Sequence, residues 1–273
     1  MNSRHTMARR AAAFLATALP ILITGHGKAD EVRLDLQFRG IYSRLPSYRP
    51  IQLHLDLDKP VGITKLPPNL LAPRYGKLKL GPRESPNRYY IVLDRPPGLE
   101  PRLFVDANGN GDLTDDPPAE WRRSLAGRTY LGGATLAVFY GVEMLPLHVN
   151  MYYCVDGNEG ALCYFRDYAR VGKVTLSEKI YDAVLTDDQV CGDFRDSGVA
   201  AAPALLIVDL NGDGSFHPRD EGFPVNKPFN VGGATYEIKE MTPSGSSFKL
   251  VKSSRVVPDS KPRALPFMKQ ESY

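Results

Sequence analysis

Apolar residues along this chain come in short runs, each closed by Gly, Pro, Asn or Asp. YYIVL (89–93), RLFV (102–105), YDAVL (181–185) and LLIV (205–208) are rich in β-branched and aromatic side chains, which fit a pleated, half-buried surface. LHLDLD (53–58) alternates apolar and polar residues with a period of two, so it predicts a strand with one face buried. EVRLDLQFRGI and PIQLHLDLD add two strands near the start, and LHVNMYYC with ALCYFRDYARV predicts a hairpin. No stretch keeps a helical period for long. SEKIYDAVLTDDQV (177–190) comes nearest, and its YDAVL fits a strand equally well. The 24 Gly and 23 Pro fall between the apolar runs, as expected for many strands joined by turns.

The runs recur in the same order twice. GKLKL (76–80) matches GKVTL (172–176), and YYIVL (89–93) matches YDAVL (181–185). RLFVDANGNGD (102–112) matches LLIVDLNGDGS (205–215), and GGATLAVFY (132–140) matches GGATYEIKE (232–240). The spacing between partners drifts from 92 to 103 residues, as insertions in turns produce, and ordered self-similarity marks a repeated structural unit. The predicted fold is therefore mainly β: tandem duplicated antiparallel units, sandwich-like, with loops of EF-hand type after strands and little helix. An N-terminal β segment spans 30–70, the first repeat 71–165, the second 166–255, and a Pro-rich tail 256–273. GGAT is expected to supply a tight turn or bulge in each repeat, where Gly tolerates positive φ.

The first 29 residues change the charge balance. Arg4, Arg9 and Arg10 precede an apolar stretch from Ala11 to Thr24, and GKA (27–29) offers a small-x-small cleavage site, a secretory signal pattern. Fourteen apolar residues containing Pro20 are short for a bilayer span, so the expectation is an exported chain with no membrane span after cleavage. Of the 34 basic residues four lie in this segment, leaving 30 against 31 acidic ones, with no basic stripe that would suit nucleic acid.

The chemistry sits in the two Asp-rich loops. Calcium takes six to eight oxygen ligands, and a loop of EF-hand type supplies them from positions 1, 3, 5, 7 and 12, with Gly at 6 for the sharp turn. In the second loop Asp209, Asn211 and Asp213 occupy positions 1, 3 and 5, Gly214 position 6, Ser215 the carbonyl at 7, and Asp220 position 12 with Glu221 beside it. In the first loop Asp106, Asn108 and Asn110 occupy 1, 3 and 5, Gly111 position 6, and Asp112 the carbonyl at 7. Pro117 stands at position 12, so Asp115 or Asp116 must close that loop. Leu113 and Phe216 at position 8 are expected to be packing anchors. Asn-Gly and Asp-Gly also make good hairpin turns. A turn, however, needs two such residues, not oxygen-bearing side chains at alternate positions followed by an apolar residue and further acids, at equivalent places in both repeats. Ca²⁺ is the expected cofactor.

FVDANGNGDLTDD and IVDLNGDGSF resemble calcium loops of uncharacterised exported bacterial β-proteins, over about residues 75–250. The resemblance implies calcium binding and no particular activity. In some similar proteins such repeats precede a thioredoxin-like domain, but this chain has no Cys-x-x-Cys. Dockerin loops lie close together with helices; these follow strands about 100 residues apart.

Cys154, Cys163 and Cys191 are the three cysteines, and Cys154 with Cys163 flank VDGNEGAL, where a turn at 157–160 would set them across a hairpin as a disulfide. His54, His148 and His217 lie outside any catalytic motif, and nucleophile-elbow, zincin and P-loop patterns are absent. Trp121 and the tyrosines of MYY suit a sugar platform, although large aromatics more often fill cores. The leading function is an exported calcium-binding structural or binding module without catalysis, with a protein or glycan partner. The alternative is a hydrolase with a glycosidase-like carboxylate pair, or an accessory of an extracytoplasmic redox system.

Overall fold

The computed structural model describes residues 29–259, apart from 46–47, 126, 156–160 and 196–202. The expected signal peptide (1–29) except its last residue, the turn at 157–160, and the expected tail (256–273) from residue 260 on lie outside the described residues. The first part of the chain forms β1 (Asp30–Gln37), β2 (Ile51–Leu53), β3 (Pro73–Leu78), β4 (Tyr89–Asp94), β5 (Arg102–Val105), β6 (Glu120–Arg123), β7 (Thr129–Phe139), β8 (Met144–Cys154) and β9 (Leu162–Arg166). The second part forms β10 (Ala169–Leu176), β11 (Lys179–Thr186), β12 (Leu205–Val208), the single-turn helix α1 (Pro218–Glu221), β13 (Gly222–Pro224), β14 (Phe229–Val231), β15 (Ala234–Lys239) and β16 (Ser247–Lys252). The ambiguous 177–190 stretch is a strand: its buried residues Ala183 to Thr186 lie in the middle of a sheet, where both faces are covered.

All pairing between named strands is antiparallel, in three sheets ordered β3-β4-β5, β2-β9-β8-β7-β6, and β13-β12-β11-β10-β1-β16-β15-β14. One arrangement occurs twice. A three-stranded meander (β3-β4-β5, then β10-β11-β12) leads into an Asp-rich loop, and a second meander follows (β6-β7-β8, then β14-β15-β16). The registers agree residue by residue. Gly76 faces Ile91 and Ile91 faces Val105 in the first unit; Gly172 faces Ala183 and Ala183 faces Val208 in the second. The two glycines have a common use. A Cβ on Gly76 would meet the Leu53 side chain at 2.7 Å, and one on Gly172 would meet Leu34 at 2.7 Å, so each seats a leucine of a crossing N-terminal segment. In the second unit β1 pairs with β16 along Asp30–Arg33 and with β10 along Leu34–Gln37, fusing the two meanders into one sheet. In the first, β2 pairs with β9, and Asp56 bridges to Tyr75 of β3.

The GGAT motifs differ in use. Gly232 and Gly233 have φ of +63° and +82° and form the tight turn between β14 and β15, as expected. Gly132 and Gly133 lie inside β7, opposite Trp121 and Glu120, because the β6–β7 hairpin turns earlier. There the need is proximity: a Cβ on Gly132 would sit 1.6 Å from the Glu120 carbonyl oxygen.

One large apolar core joins the sheets, with Ile91, Leu93, Leu136, Val149, Leu185, Leu206 and Phe248 among its buried members. Two smaller cores lie beside the loops and again correspond. Leu113 packs with Val92, Tyr90 and Ile63, and Phe216 packs with Val184, Ile207 and Ile41. The position-8 residues are the buried anchors the spacing predicts.

The Cys154–Cys163 disulfide is not formed; all three cysteines are free thiols. The two residues do lie on the paired strands β8 and β9, but the register sets Cys163 opposite Tyr152 and Cys154 opposite Thr129 on the other neighbour, so the thiols are diagonal, not facing.

Candidate metal-binding loops

Each loop leaves the end of a central strand, and its first residue is fixed by the meander before it. The Asp106 N–H donates to the Tyr90 carbonyl at 2.8 Å, and the Asp209 N–H to the Asp182 carbonyl at 3.0 Å, at equivalent positions. From there both loops wind in one way. The position-1 carboxylate reaches forward to the position-6 glycine: Asp106 Oδ2 accepts from Gly111 N–H at 3.0 Å, and Asp209 Oδ2 from Gly214 N–H at 2.9 Å. Positions 3 and 5 each accept the N–H two residues on. Asn108 accepts from Asn110 at 2.9 Å and Asn110 from Asp112 at 2.7 Å. Asn211 accepts from Asp213 at 2.9 Å and Asp213 from Ser215 at 2.8 Å. Such side-chain-to-backbone bonds are the local option that Asn and Asp offer a chain leaving regular structure. Positive φ at Gly109, Gly111, Gly212 and Gly214 completes the curl.

Closure differs from the spacing-based expectation in one loop. In the first, Asp116 Oδ1 accepts from Ala107 N–H at 2.9 Å and Asn108 N–H at 3.3 Å. In the second, Glu221 does this, not Asp220. Glu221 Oε1 accepts from Leu210 N–H at 3.0 Å and Asn211 N–H at 3.4 Å, and Oε2 from His217 N–H at 3.1 Å. Asp220 is a part-exposed residue of α1 whose N–H caps back to the His217 carbonyl. The one-residue shift follows from Pro218 starting a helical turn, which rotates position 12 away and brings position 13 round to the loop.

The electrostatics favour a cation at these points. Asp106 is fully buried, Asp209 and Glu221 nearly so, and all three accept hydrogen bonds from backbone N–H groups, with no ion pair among the described residues. Burial raises the Asp106 carboxyl above its ordinary range despite four backbone N–H groups that oppose it. Asp116 is pushed up to about 6, first by burial and also by the charge of Asp106, and its buried Oδ2 has no hydrogen-bond partner. Glu221 is likewise raised by burial. Buried carboxylates without a counter-charge are costly unless a proton or a cation neutralises them.

The first loop already holds a cation of its own. Lys65 Nζ pairs with Asp112 Oδ2, and with the Thr114 hydroxyl and N–H this holds the Asp112 carboxyl down at about 2. Backbone bonds from Thr64 and Lys65 to the Gly111 carbonyl, at 2.8 and 3.3 Å, lay the 60–65 segment along this loop. Asn108 and Asn110 also donate their amides to Asp115, at 3.2 and 2.9 Å. The second loop has no lysine and is open, with nothing within 4 Å of a Cβ built on Gly212 or Gly214. Asp213 is lowered, chiefly by the Ser215 N–H, and His217 Nε2 lies 3.4 Å from its Oδ2.

No protein-family model, curated protein or solved structure matches this chain. Its chemistry therefore rests on the loops' own geometry. Among the described residues no three His, Cys, Asp or Glu side chains gather as a metal-binding cluster. Each loop instead offers carboxylate, amide and backbone oxygens, a hard donor set without nitrogen or sulfur, suited to calcium and unsuited to zinc or copper. Lys65 and Glu221 were beyond the loop motifs: the first lies 47 residues before its partner Asp112, and the second is one position off the pattern.

Proposed function

We propose that the chain is an exported, calcium-stabilised β-rich binding or structural module, with the second loop as its main calcium site. Asp209, Asn211, Asp213 and the Ser215 carbonyl supply that site, and Glu221 closes it. The first loop (Asp106, Asn108, Asn110, Asp112, Asp116) is a weaker site, because the Lys65 ammonium already neutralises one of its acids. The observation that carries this reading is the repeated curl. Twice the position-1 carboxylate bonds the position-6 glycine N–H, and twice an acid, the half-buried Asp116 and the buried Glu221, closes the loop without an ion-pair partner among the described residues. A hairpin turn requires neither.

Export suits such a site. Extracellular calcium modules bind in the range of about 10⁻⁴–10⁻³ M, which is useful where calcium is abundant. The test is thermal melting of the mature chain with calcium and after its removal. Binding to the folded state alone stabilises it by about 1.4 kcal/mol at about ten times Kd. Asp209→Ala removes most of that gain and Asp106→Ala less. An identical melting temperature with and without calcium would show that both loops are turns.

A further inference from the structure

The outer face of the β2-β9-β8-β7-β6 sheet carries a cleft of about 850 Å³ that the calcium loops do not touch. Its volume lies within the range of about 300–1,000 Å³ usual for small-molecule sites. Strand alternation builds it. Leu147, Val149, Met151 and Tyr153 of β8 enter the core, so Asn150, Tyr152 and Cys154 face outward, while His148 on the same side is buried. Register sets Glu120, Gly133, Asn150 and Phe165 in one row across β6, β7, β8 and β9, and Arg122, Leu131, Tyr152 and Cys163 in the next. Gly133 has no side chain, and the place its Cβ would take lies 3.0 Å from His148 Nε2, so the glycine makes room for that ring. The segment between β1 and β2 forms the far wall with Arg39, Tyr42 and Tyr48.

Two kinds of group meet there. Tyr42, Tyr48, Tyr152 and Phe165 form an aromatic cluster, with Tyr48 at 4.2 Å and Tyr42 at 6.0 Å from the Phe165 ring centre and Tyr152 at 6.4 Å. Tyr42 and Tyr48 pack on Phe165 yet remain 42% and 38% exposed, so part of each ring is presented at the surface. Beside them Arg39 grips Glu120 through two bonds of 2.6 Å, a planar polar pair on the rim. Trp121 takes no part as a platform. Its ring stacks on Tyr130 at 5.8 Å and its indole N–H donates to the Pro101 carbonyl, so it belongs to the core side.

We propose that this cleft binds an oligosaccharide. A sugar ring has an apolar C–H face that stacks on aromatic rings, and an edge of neighbouring hydroxyls that bonds to planar groups such as the Arg39–Glu120 pair and the Asn150 amide. The inner strands β7, β8 and β9 are each paired on both sides, so strand addition by a peptide has only the short edge strand β6 to use at this cleft, and recognition over the rest of the floor falls to side chains. Binding, not cleavage, suits the acid present. Glu120 is held below its ordinary range, chiefly by its hydrogen bond to Arg39, whereas a glycosidase acid needs a raised value and a second carboxylate across the bond. The assignment deepens the reading of the chain as a binding module but is independent of calcium.

The experiment is calorimetric titration of the mature chain with cellotriose, a trigalacturonate and, as a comparison, a tyrosine-containing tripeptide. Saturable heat with either sugar is expected, weakened about tenfold or more by Tyr152→Ala and by Glu120→Gln, since truncating a central aromatic or polar anchor commonly costs that much. Tyr181→Ala, on β11 away from the cleft, should leave it unchanged. Glu120→Gln keeps the side-chain shape and carries the test if Tyr152→Ala melts early. The proposal is overturned by no saturable heat with either sugar at millimolar concentration, by binding that both cleft variants leave intact, by a response to the tripeptide alone, or by release of reducing ends. The calcium-dependent melting shift of the parent chain is read separately: its persistence when the parent binds neither sugar would remove the cleft assignment and leave the calcium reading standing.

Discussion

Exchanging Glu221 for Gln and, separately, Asp220 for Asn distinguishes the loop seen in three dimensions from the loop read by spacing. Glu221 accepts three N–H groups through its two oxygens, at 3.0, 3.4 and 3.1 Å. Gln keeps Oε1 as an acceptor for Leu210 and Asn211 but sets its NH₂ against the His217 N–H, costing one charged hydrogen bond of about 1.5–3 kcal/mol. The loss is offset because Gln also removes a buried charge that the fold disfavours, as the raised Glu221 value indicates. The calcium-free melting temperature should therefore change little. The calcium response should change a great deal. At about ten times Kd the parent gains about 1.4 kcal/mol, which for a chain of this size is a shift of about 3–6 °C. A tenfold weaker Kd leaves about 0.4 kcal/mol at the same calcium concentration, a shift of about 1 °C. Asp220→Asn should keep the full shift, because among the described residues the Asp220 side chain makes no hydrogen bond or ion pair with the loop. Differential scanning calorimetry of the parent and both variants, with and without calcium, measures all six values. Loss of the response in Asp220→Asn with retention in Glu221→Gln would refute the closure described here.

Four further outcomes are expected. Lys65→Met, made in an Asp209→Ala background, should increase the residual calcium response of the first loop, since it removes the ammonium that occupies Asp112; an unchanged calcium titration would mean Lys65 does not compete. Asp116 has a folded value of about 6 against an ordinary 3.8, so the folded state holds its proton more tightly than the unfolded chain; without calcium its contribution to stability rises as pH falls from above about 6 towards 3.8, and the calcium-dependent melting shift shrinks over the same window. A calcium shift that is constant through that window would contradict this linkage. Gly132→Ala drives a Cβ to 1.6 Å from the Glu120 carbonyl and should cost about 1–3 kcal/mol in denaturant midpoint, or detach β6, whereas Gly232→Ala only strains a turn and should cost about 1 kcal/mol. Thiol counting on unreduced, denatured protein should find all three cysteines, with Cys154 alkylated fastest in the native state and Cys191 slowest, its thiol being pushed up to about 12 by burial.

The strand-rich character of the chain, its doubled plan and the curl of the two loops follow from local rules. Period-two runs of β-branched residues make strands wherever they find a partner, and Asn, Asp and Gly at fixed offsets bond their own backbone, so these features are carried within about a dozen residues. The loop anchors Leu113 and Phe216 were legible for the same reason. What tertiary structure decided is every feature set by a distant partner. Gly132 and Gly232 share a motif, yet one lies under β6 and the other makes a turn, because the preceding hairpins differ in length. Lys65 reaches Asp112 only because the 60–65 segment is laid along the first loop. Glu221 displaces Asp220 because Pro218 begins a helical turn, and one residue of rotation about a helix exchanges a buried side chain for a part-exposed one. The cysteines missed each other by two positions of register, which spacing across a turn does not determine. Of the aromatic cleft the sequence offered only Tyr152, in the MYY run. Tyr42, Tyr152 and Phe165 come from three segments, and only the pleat of β8 and β9, with the path of the chain between β1 and β2, sets them on one face.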